Sequence, residues 1–372
     1  MKMNLKTSDP SIMGSYSPHD VTFLLKDLSR IMEEDKLETR EKAIQSGRHY
    51  SEMLPIEYKP SEQYLNLFYQ SLNEYKKRVA HAVGVVAEQL LQVRGNNFTL
   101  VSLARAGTPI GILIKRYLAY KYNLNLPHYS ISIIRGRGID QNAIQYIMSQ
   151  HPNQPIQFID GWTGKGAISK ELSKACQELQ QYKELIDDRL AVLADPGHCA
   201  PIYGTRDDFL IPSACLNSTV SGLVSRTVLN DEYIEKTDFH GAKFYKELKE
   251  EDVSNHYIDA VTAEFENVVK EVEEDTKELE TSYQNPTWAG LREVEEIQKY
   301  YSITDINHIK PGVGETTRVL LRRVPWKILV KNKENPDLKH ILYLASERQV
   351  PIEEYTEMSY SCCGLIKTVK GN

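Results

Sequence analysis

The sequence predicts an α/β protein: a parallel sheet with crossover helices, preceded by a helical N-terminal region and followed by a helical connector and a small C-terminal α/β domain. Three observations predict it. Between residues 96 and 230, short apolar or β-branched runs at 98–104, 129–134, 156–160, 190–194 and 209–212 alternate with helical stretches such as 109–122 and 165–182. That alternation is the mark of a parallel sheet. Upstream, Tyr64, Leu65, Phe68 and Leu72, then Val79, Val83, Val86 and Leu90, recur at helical spacing and make 1–95 a helical region, broken by a loop at 49–55. Downstream, 231–304 is charge-rich, with Glu271, Glu273, Glu274 and Asp275 in succession, and reads as a solvated helical connector. An α/β pattern then resumes in 305–372, with a helix over 314–321, a strand over 326–331 and a helix over 338–348. A domain this small lies near the lower end of independent stability.

Composition narrows the class. At 372 residues, two or three domains are expected, and 41% hydrophobic with 26% charged residues excludes wholesale disorder and a fibrous chain. No apolar run reaches the ~18 to 20 residues of a membrane span, and the polar start lacks the apolar core of a signal peptide. A cytoplasmic protein is expected. The five cysteines, Cys176, Cys199, Cys215, Cys362 and Cys363, are odd in number and show no CxxC spacing, which gives no disulfide framework and no zinc knuckle. Residues 305–372 hold 11 Lys plus Arg against 8 Asp plus Glu, a net of +3, while the remainder stands at −9. A basic module on an acidic body suits an anionic partner.

The segment richest in chemistry is 155–168, where an apolar strand ends on Asp160 and passes through Gly161 and Trp162 into Thr163, Gly164, Lys165 and Gly166 before a helix. Backbone N–H groups converging at a helix N-terminus favour an anion, and glycines let a phosphate approach the backbone. Asp160, at the strand tip, is placed to accept from sugar hydroxyls or to hold Mg²⁺. The spacing does not match a GxxxxGK[ST] phosphate loop. A plain glycine-containing strand-to-helix turn is the competing explanation.

This segment resembles the ribose-phosphate loop of type I phosphoribosyltransferases, with the usual pair of acids reduced to Asp160 followed by Gly161 and the loop one residue shorter. Arg105, Ala106, Gly107 and Thr108, leaving the first strand, resemble that family's pyrophosphate loop. Arg135, Gly136, Arg137 and Gly138, after the second strand, stand where the family carries a mobile loop over the reacting centre. These stretches, together with the 49–55 loop, the 195–198 turn and the 222–227 segment, resemble one bacterial family of tellurite-resistance (ter) stress operons. That family joins a phosphoribosyltransferase domain to a C-terminal Pelota-like RNA-binding domain. The resemblance implies a type I phosphoribosyltransferase-like sheet and salvage or synthesis of a nucleoside-like stress metabolite from phosphoribosyl pyrophosphate. It further implies that Thr163, Gly164, Lys165 and Gly166 hold the 5′-phosphate, Asp160 the ribose and Mg²⁺, and Arg105 with Arg135 or Arg137 the departing pyrophosphate. Ser225 and Arg226 would meet the acceptor, and a homodimer is compatible with this scheme.

In the C-terminal domain, Lys310 precedes a glycine-bracketed loop, and Arg318, Arg322 and Arg323 follow on the next helix. The arrangement suits RNA phosphates or unstacked bases and resembles the Pelota and L7Ae type of module; a solvated basic helix face is the alternative. Two further functions compete with the transferase. The family has also been given a cysteine-protease name, which makes Cys199 or Cys215 a candidate nucleophile, with His49 or His240 as a partner because the adjacent His198 and Cys199 do not face each other by sequence adjacency alone. Burial as a small apolar residue is the ordinary fate of such cysteines. The other alternative is a non-catalytic sensor that binds a ribose phosphate and signals through RNA.

Overall fold

The computed structural model describes residue 10 and residues 12–279 and 285–366. The chain opens with two short strands, β1 (Thr22–Phe23) and β2 (Lys26–Asp27), and the helices α1 (Leu37–Gln45) and α2 (Glu62–Arg94). It continues through β3 (Thr99–Ala104), α3 (Gly107–Tyr122), β4 (His128–Ile134), β5 (Gly138–Ile139), α4 (Gln141–Gln150), β6 (Ile156–Trp162), α5 (Ala167–Glu178), β7 (Ala191–Ala194) and β8 (Ile202–Thr205). The main sheet runs β1-β4-β3-β6-β7-β8, parallel throughout, with β5 antiparallel on β4. Helices cover both faces, so β3, β6 and β7 are buried almost end to end and read as continuous apolar runs.

Strand order reverses between β3, which leads to β4 on one side, and β6, which lies on the other. Ligands of open parallel sheets sit in the crevice at such a point, beyond the carboxyl ends of the strands. The crevice floor is tight: a Cβ on Gly107 would lie 2.3 Å from the Ile159 carbonyl oxygen. Glycine is therefore required where the β3–α3 turn presses on β6.

Three expectations are corrected. The 1–95 region is not purely helical, because β1 joins the sheet edge and β2 pairs with β9 (Gly241–Ala242). The 209–212 run is not a strand. The last strand is β8, after which Asp208 turns away and accepts from the Val313 and Ser361 amides, while residues Pro212–Ala214 form a 3₁₀ turn. Nor is 231–304 a solvated connector. Helices α6 (Ser254–Thr262) and α7 (Phe265–Leu279) pack on α2, burying Tyr257, Ile258, Val261, Phe265, Val268 and Val272. The charges that suggested a connector form the outer face, where Lys76, Lys77 and Lys121 pair with Glu264, Glu271 and Glu273 at 2.8, 2.8 and 3.0 Å.

The C-terminal region comprises α8 (Ala289–Tyr300), β10 (Ile309–Pro311), α9 (Val313–Arg322), β11 (Pro325–Val330), α10 (Lys339–Glu347), β12 (Ile352–Glu354) and β13 (Cys362–Ile366). Its sheet is ordered β10-β13-β11-β12. Val294 and Ile297 of α8 pack with Ile309, Leu329 and Leu365, so α8 belongs to this region. On the other side of the sheet, Val313, Leu320, Ile328 and Ile341 join the same apolar cluster as Val79, Val83 and Phe209 of the body.

Phe265, buried edge-on against Tyr117 at 5.2 Å between ring centroids, tests the packing of α7. Phe265→Ala is expected to lower stability by about 3–5 kcal/mol in urea unfolding. A loss under about 1 kcal/mol would return this segment to a solvated connector.

Candidate functional site

Two constellations flank the sheet's carboxyl end. The first is the crevice at the reversal. Arg105 is half-buried, and its Nη1 donates to the Val224 carbonyl at 3.2 Å. Burial lowers its pKa; Glu57 works against that, and Arg318 and Arg322 add to it. Ala106 and Gly107 press against β6, and the Thr108 hydroxyl is 2.8 Å from that of Ser130. Asp160 is buried with a 2.8 Å bond from the Gly161 amide, and burial pushes its pKa up to about 7. No group of three or more His, Cys, Asp or Glu among the described residues could hold a metal ion.

The expected phosphate turn is occupied by the chain itself. The Thr163 hydroxyl donates to Asp195, and the Gly164 carbonyl accepts from Tyr360 at 3.0 Å. Lys165 donates to the Ile306 and Ile309 carbonyls at 2.8 and 3.3 Å. Burial, then the neighbouring Lys310 and Arg135, bring its pKa down to about 8. A Cβ on Gly166, whose φ is +74°, would fall 2.4 Å from the Trp288 ring and 2.8 Å from the Cys199 sulfur. Residues remote in sequence thus fill the space an anchored phosphate would need.

The 135–139 loop is fastened at several points. Glu171 accepts from the Gly136 and Gly138 amides at 2.7 and 2.9 Å, the Arg135 amide donates to the Tyr50 hydroxyl, and Arg137 pairs with Glu52 at 2.5 Å. The exposed Arg135 and Arg137 therefore stand on an anchored loop, in place of the hinged cover expected. Ser225 bridges the Arg226 carbonyl and the Lys243 amide. Arg226 reaches the Tyr50 and Met53 carbonyls while its buried Nε has no partner, and burial, then the nearby Arg40, lower its pKa to about 10.

The second constellation surrounds Cys199. Asp195, wholly buried, accepts from the Cys199 and Ala200 amides at 2.8 and 3.0 Å, from Thr163, and from Arg206. This carboxylate shapes the turn in which His198 takes a φ of +54°. The Cys199 thiol lies 3.1 Å from the Gly197 carbonyl. Burial, and next Asp195, push its pKa up to about 12. Trp288 and Tyr360 close over it: the Trp288 amide donates to the His198 carbonyl at 3.0 Å, and Tyr360 spans to Gly164. His198 is half-buried, and its pKa is lowered by burial and then by Arg206.

The other four cysteines sit in or against hydrophobic clusters, Cys176 with the α4–α5 side, Cys215 and Cys362 in the main core, and Cys363 under α8. Cys215 is 3.5 Å from the Ser71 hydroxyl, and burial pushes its pKa up to about 12. His49 contacts Ser51 and Tyr50, and His240 contacts Ser132, so neither expected partner is brought to Cys199 or Cys215. Sequence reasoning missed Arg206, Trp288 and Tyr360 as surroundings of Cys199; Trp288 and Tyr360 carry no local signal because they arrive from far along the chain.

The expected RNA residues divide. Arg318 is engaged, with Glu315 at 3.1 Å, the Ala214 carbonyl at 3.3 Å and the Trp162 ring. Lys310 is partly buried, whereas Arg322 and Arg323 are exposed at the end of α9.

Burial raises the folded-state pKa of Asp160 above its ordinary 3.8, so the folded chain holds more protons than the unfolded chain between about pH 4 and 7. Its contribution therefore becomes less favourable as pH rises through that window. Asp160→Asn is expected to gain on the wild type by up to about 4 kcal/mol between pH 4 and pH 8 in urea unfolding. A pH-independent difference would show that this carboxylate does not titrate there.

A family model described as the tellurite-like stress resistance cysteine protease StiP matches residues 14–262. A model for the PELOTA RNA binding domain matches residues 288–368. A relative from Acinetobacter baylyi, named cysteine protease StiP, is 35% identical over 354 residues, spanning 91% of this chain and 90% of its own. A hypothetical protein from Neisseria gonorrhoeae, solved with bound ppGpp, covers 33% of this chain and 68% of its own at 10% identity and a TM-score of 0.22, too slight a likeness to carry an argument. The phosphoribosyltransferase expectation is overturned by the family and its named relative, and with it goes the reason for expecting phosphoribosyl pyrophosphate and Mg²⁺. No helix among the described residues is long and apolar enough to cross a membrane. The chain belongs to the family of the tellurite-like stress resistance cysteine protease StiP.

Proposed function

We propose that the chain is a cysteine protease with Cys199 as nucleophile, joined to an RNA-binding region over residues 288–368. The observation that carries the choice of cysteine is its setting. Among the five, Cys199 alone stands outside every hydrophobic cluster of the described residues, on a turn bordered by Asp195, Arg206 and the start of α5. The family name supports the activity.

In the chemistry proposed, an imidazole takes the Cys199 thiol proton as the sulfur adds to the scissile carbonyl, the amine leaves with that proton, and water releases the acyl group from sulfur. In the closed arrangement the thiol meets the Gly197 carbonyl, so the proton transfer proposed calls for the His198 ring, whose pKa is lowered by burial and then by Arg206, to turn to the sulfur. The first turn of α5 has no side-chain cap and supplies amides beside the sulfur, suited to a developing oxyanion. In the closed arrangement the sulfur is a protonated thiol under Trp288 and Tyr360, so the cleaving form is one in which those two side chains have moved aside.

The finer fold assignment, a type I phosphoribosyltransferase-like sheet put to other chemistry, is supported by the strand reversal and the glycine turns at β3 and β6. RNA binding is supported by the match to the Pelota region and by its exposed arginines.

Cys199→Ala is expected to lower peptide hydrolysis by about 10⁴-fold or more, while Cys176→Ser, at a half-buried helix position, keeps it. The measurement is cleavage of a fluorogenic peptide mixture by the folded full chain, with thiol alkylation as a second readout. Hydrolysis that survives Cys199→Ala would remove this residue from the reaction.

A further inference from the structure

We propose that RNA bound by this chain enters as a single strand into the cleft between the body and the Pelota region, held by Tyr58 and Tyr64 of the body together with Arg322 and Arg323 of α9. The inference rests on the RNA-binding reading above and adds the strand's path: a composite site to which the StiP-family portion contributes aromatic platforms.

The cleft is a cavity of about 480 Å³ whose lining includes these four residues, Arg40 and Lys59. That volume accommodates a nucleotide-sized group and excludes a duplex. Tyr58 is 75% exposed and lines the cleft, an arrangement that leaves an aromatic face open for a base. Tyr64 is already engaged as a cation platform: Arg322 lies 4.8 Å from its ring centroid and donates to its hydroxyl at 2.8 Å. A guanidinium on a tyrosine ring offers the flat, charged surface on which unstacked bases and phosphates are taken.

The charge that would meet a polyanion is concentrated at the Pelota side of the cleft, where Arg322 and Arg323 are exposed. Lys59 is matched by Glu251, and the Glu57 carboxylate accepts from the Ser218 amide and hydroxyl at 3.1 and 3.0 Å. Asp35 and Glu57 are the acids of the lining and stand on the body side of the cleft, across from Arg322 and Arg323. Leu216 and Asn217 also line a smaller neighbouring cavity, where the half-buried Arg105 donates to the Val224 carbonyl. A half-buried guanidinium held by a carbonyl has donors left for an incoming phosphate. Lys310 and Arg318 were expected among the RNA contacts; burial of the first and the Glu315 pair of the second take them out of the cleft.

The test is fluorescence anisotropy of a labelled single-stranded oligoribonucleotide and its duplex on the full chain, across a salt series. Tyr58→Ala and Arg323→Glu are each expected to weaken single-strand binding by about tenfold or more, with the salt slope shallower by about 1 for Arg323→Glu. Lys331→Glu, an exposed change just past the opposite end of β11, leaves binding unchanged. Both altered residues are exposed, and unfolding midpoints matching the wild type confirm intact folding. Binding that ignores Tyr58 and Arg323 but falls with Lys331→Glu places RNA elsewhere on the Pelota region: this inference fails and the RNA-binding reading stands. Preference for the duplex also overturns the path. No binding of any RNA to the wild type removes the RNA-binding reading itself.

Discussion

The carboxylate of Asp195 is the constraint on which the surroundings of Cys199 depend. It is withdrawn from solvent and saturated by the Thr163 hydroxyl, two backbone amides and Arg206. Such a group holds what it touches, because a displaced partner would leave a buried charge unsatisfied. Through these bonds it fixes the end of β6 to the turn after β7 and brings the 163–166 glycines against the sulfur. Burial raises its pKa against the pull of its four donors, so the turn's hydrogen bonds are what hold the carboxylate in place.

Much of the architecture was legible in local pattern. Strands β3, β6 and β7 were readable because burial on both faces leaves them largely apolar, and β4 because Ile131, Ile133 and Ile134 mark it. β8 was not, since its Ile202, Tyr203, Gly204 and Thr205 carry no apolar run. Gly204 is there because a Cβ would stand 2.4 Å from the Ala82 carbonyl oxygen of α2, a requirement that only the partner helix reveals. In α7 the acidic residues outnumber the apolar ones and concealed the stripe of Phe265, Val268 and Val272.

The site was legible as chemistry but not as occupancy. The turn at Thr163, Gly164, Lys165 and Gly166 has the composition of an anion cradle, and its glycines are indeed places where something approaches the backbone closely. What approaches is the chain's own Trp288, Tyr360 and Cys199. A glycine-rich turn reports the need for room without naming the guest, which is why the same residues supported a transferase reading that the family relationship corrects.

The apolar cluster that passes without a break from Val79 and Phe209 to Leu320 and Ile341 has a consequence for how the molecule comes apart. Two regions that share one interior cannot melt independently, since loosening either exposes side chains of both. The Pelota region therefore behaves in unfolding as a structural wall of the body rather than as cargo carried behind it.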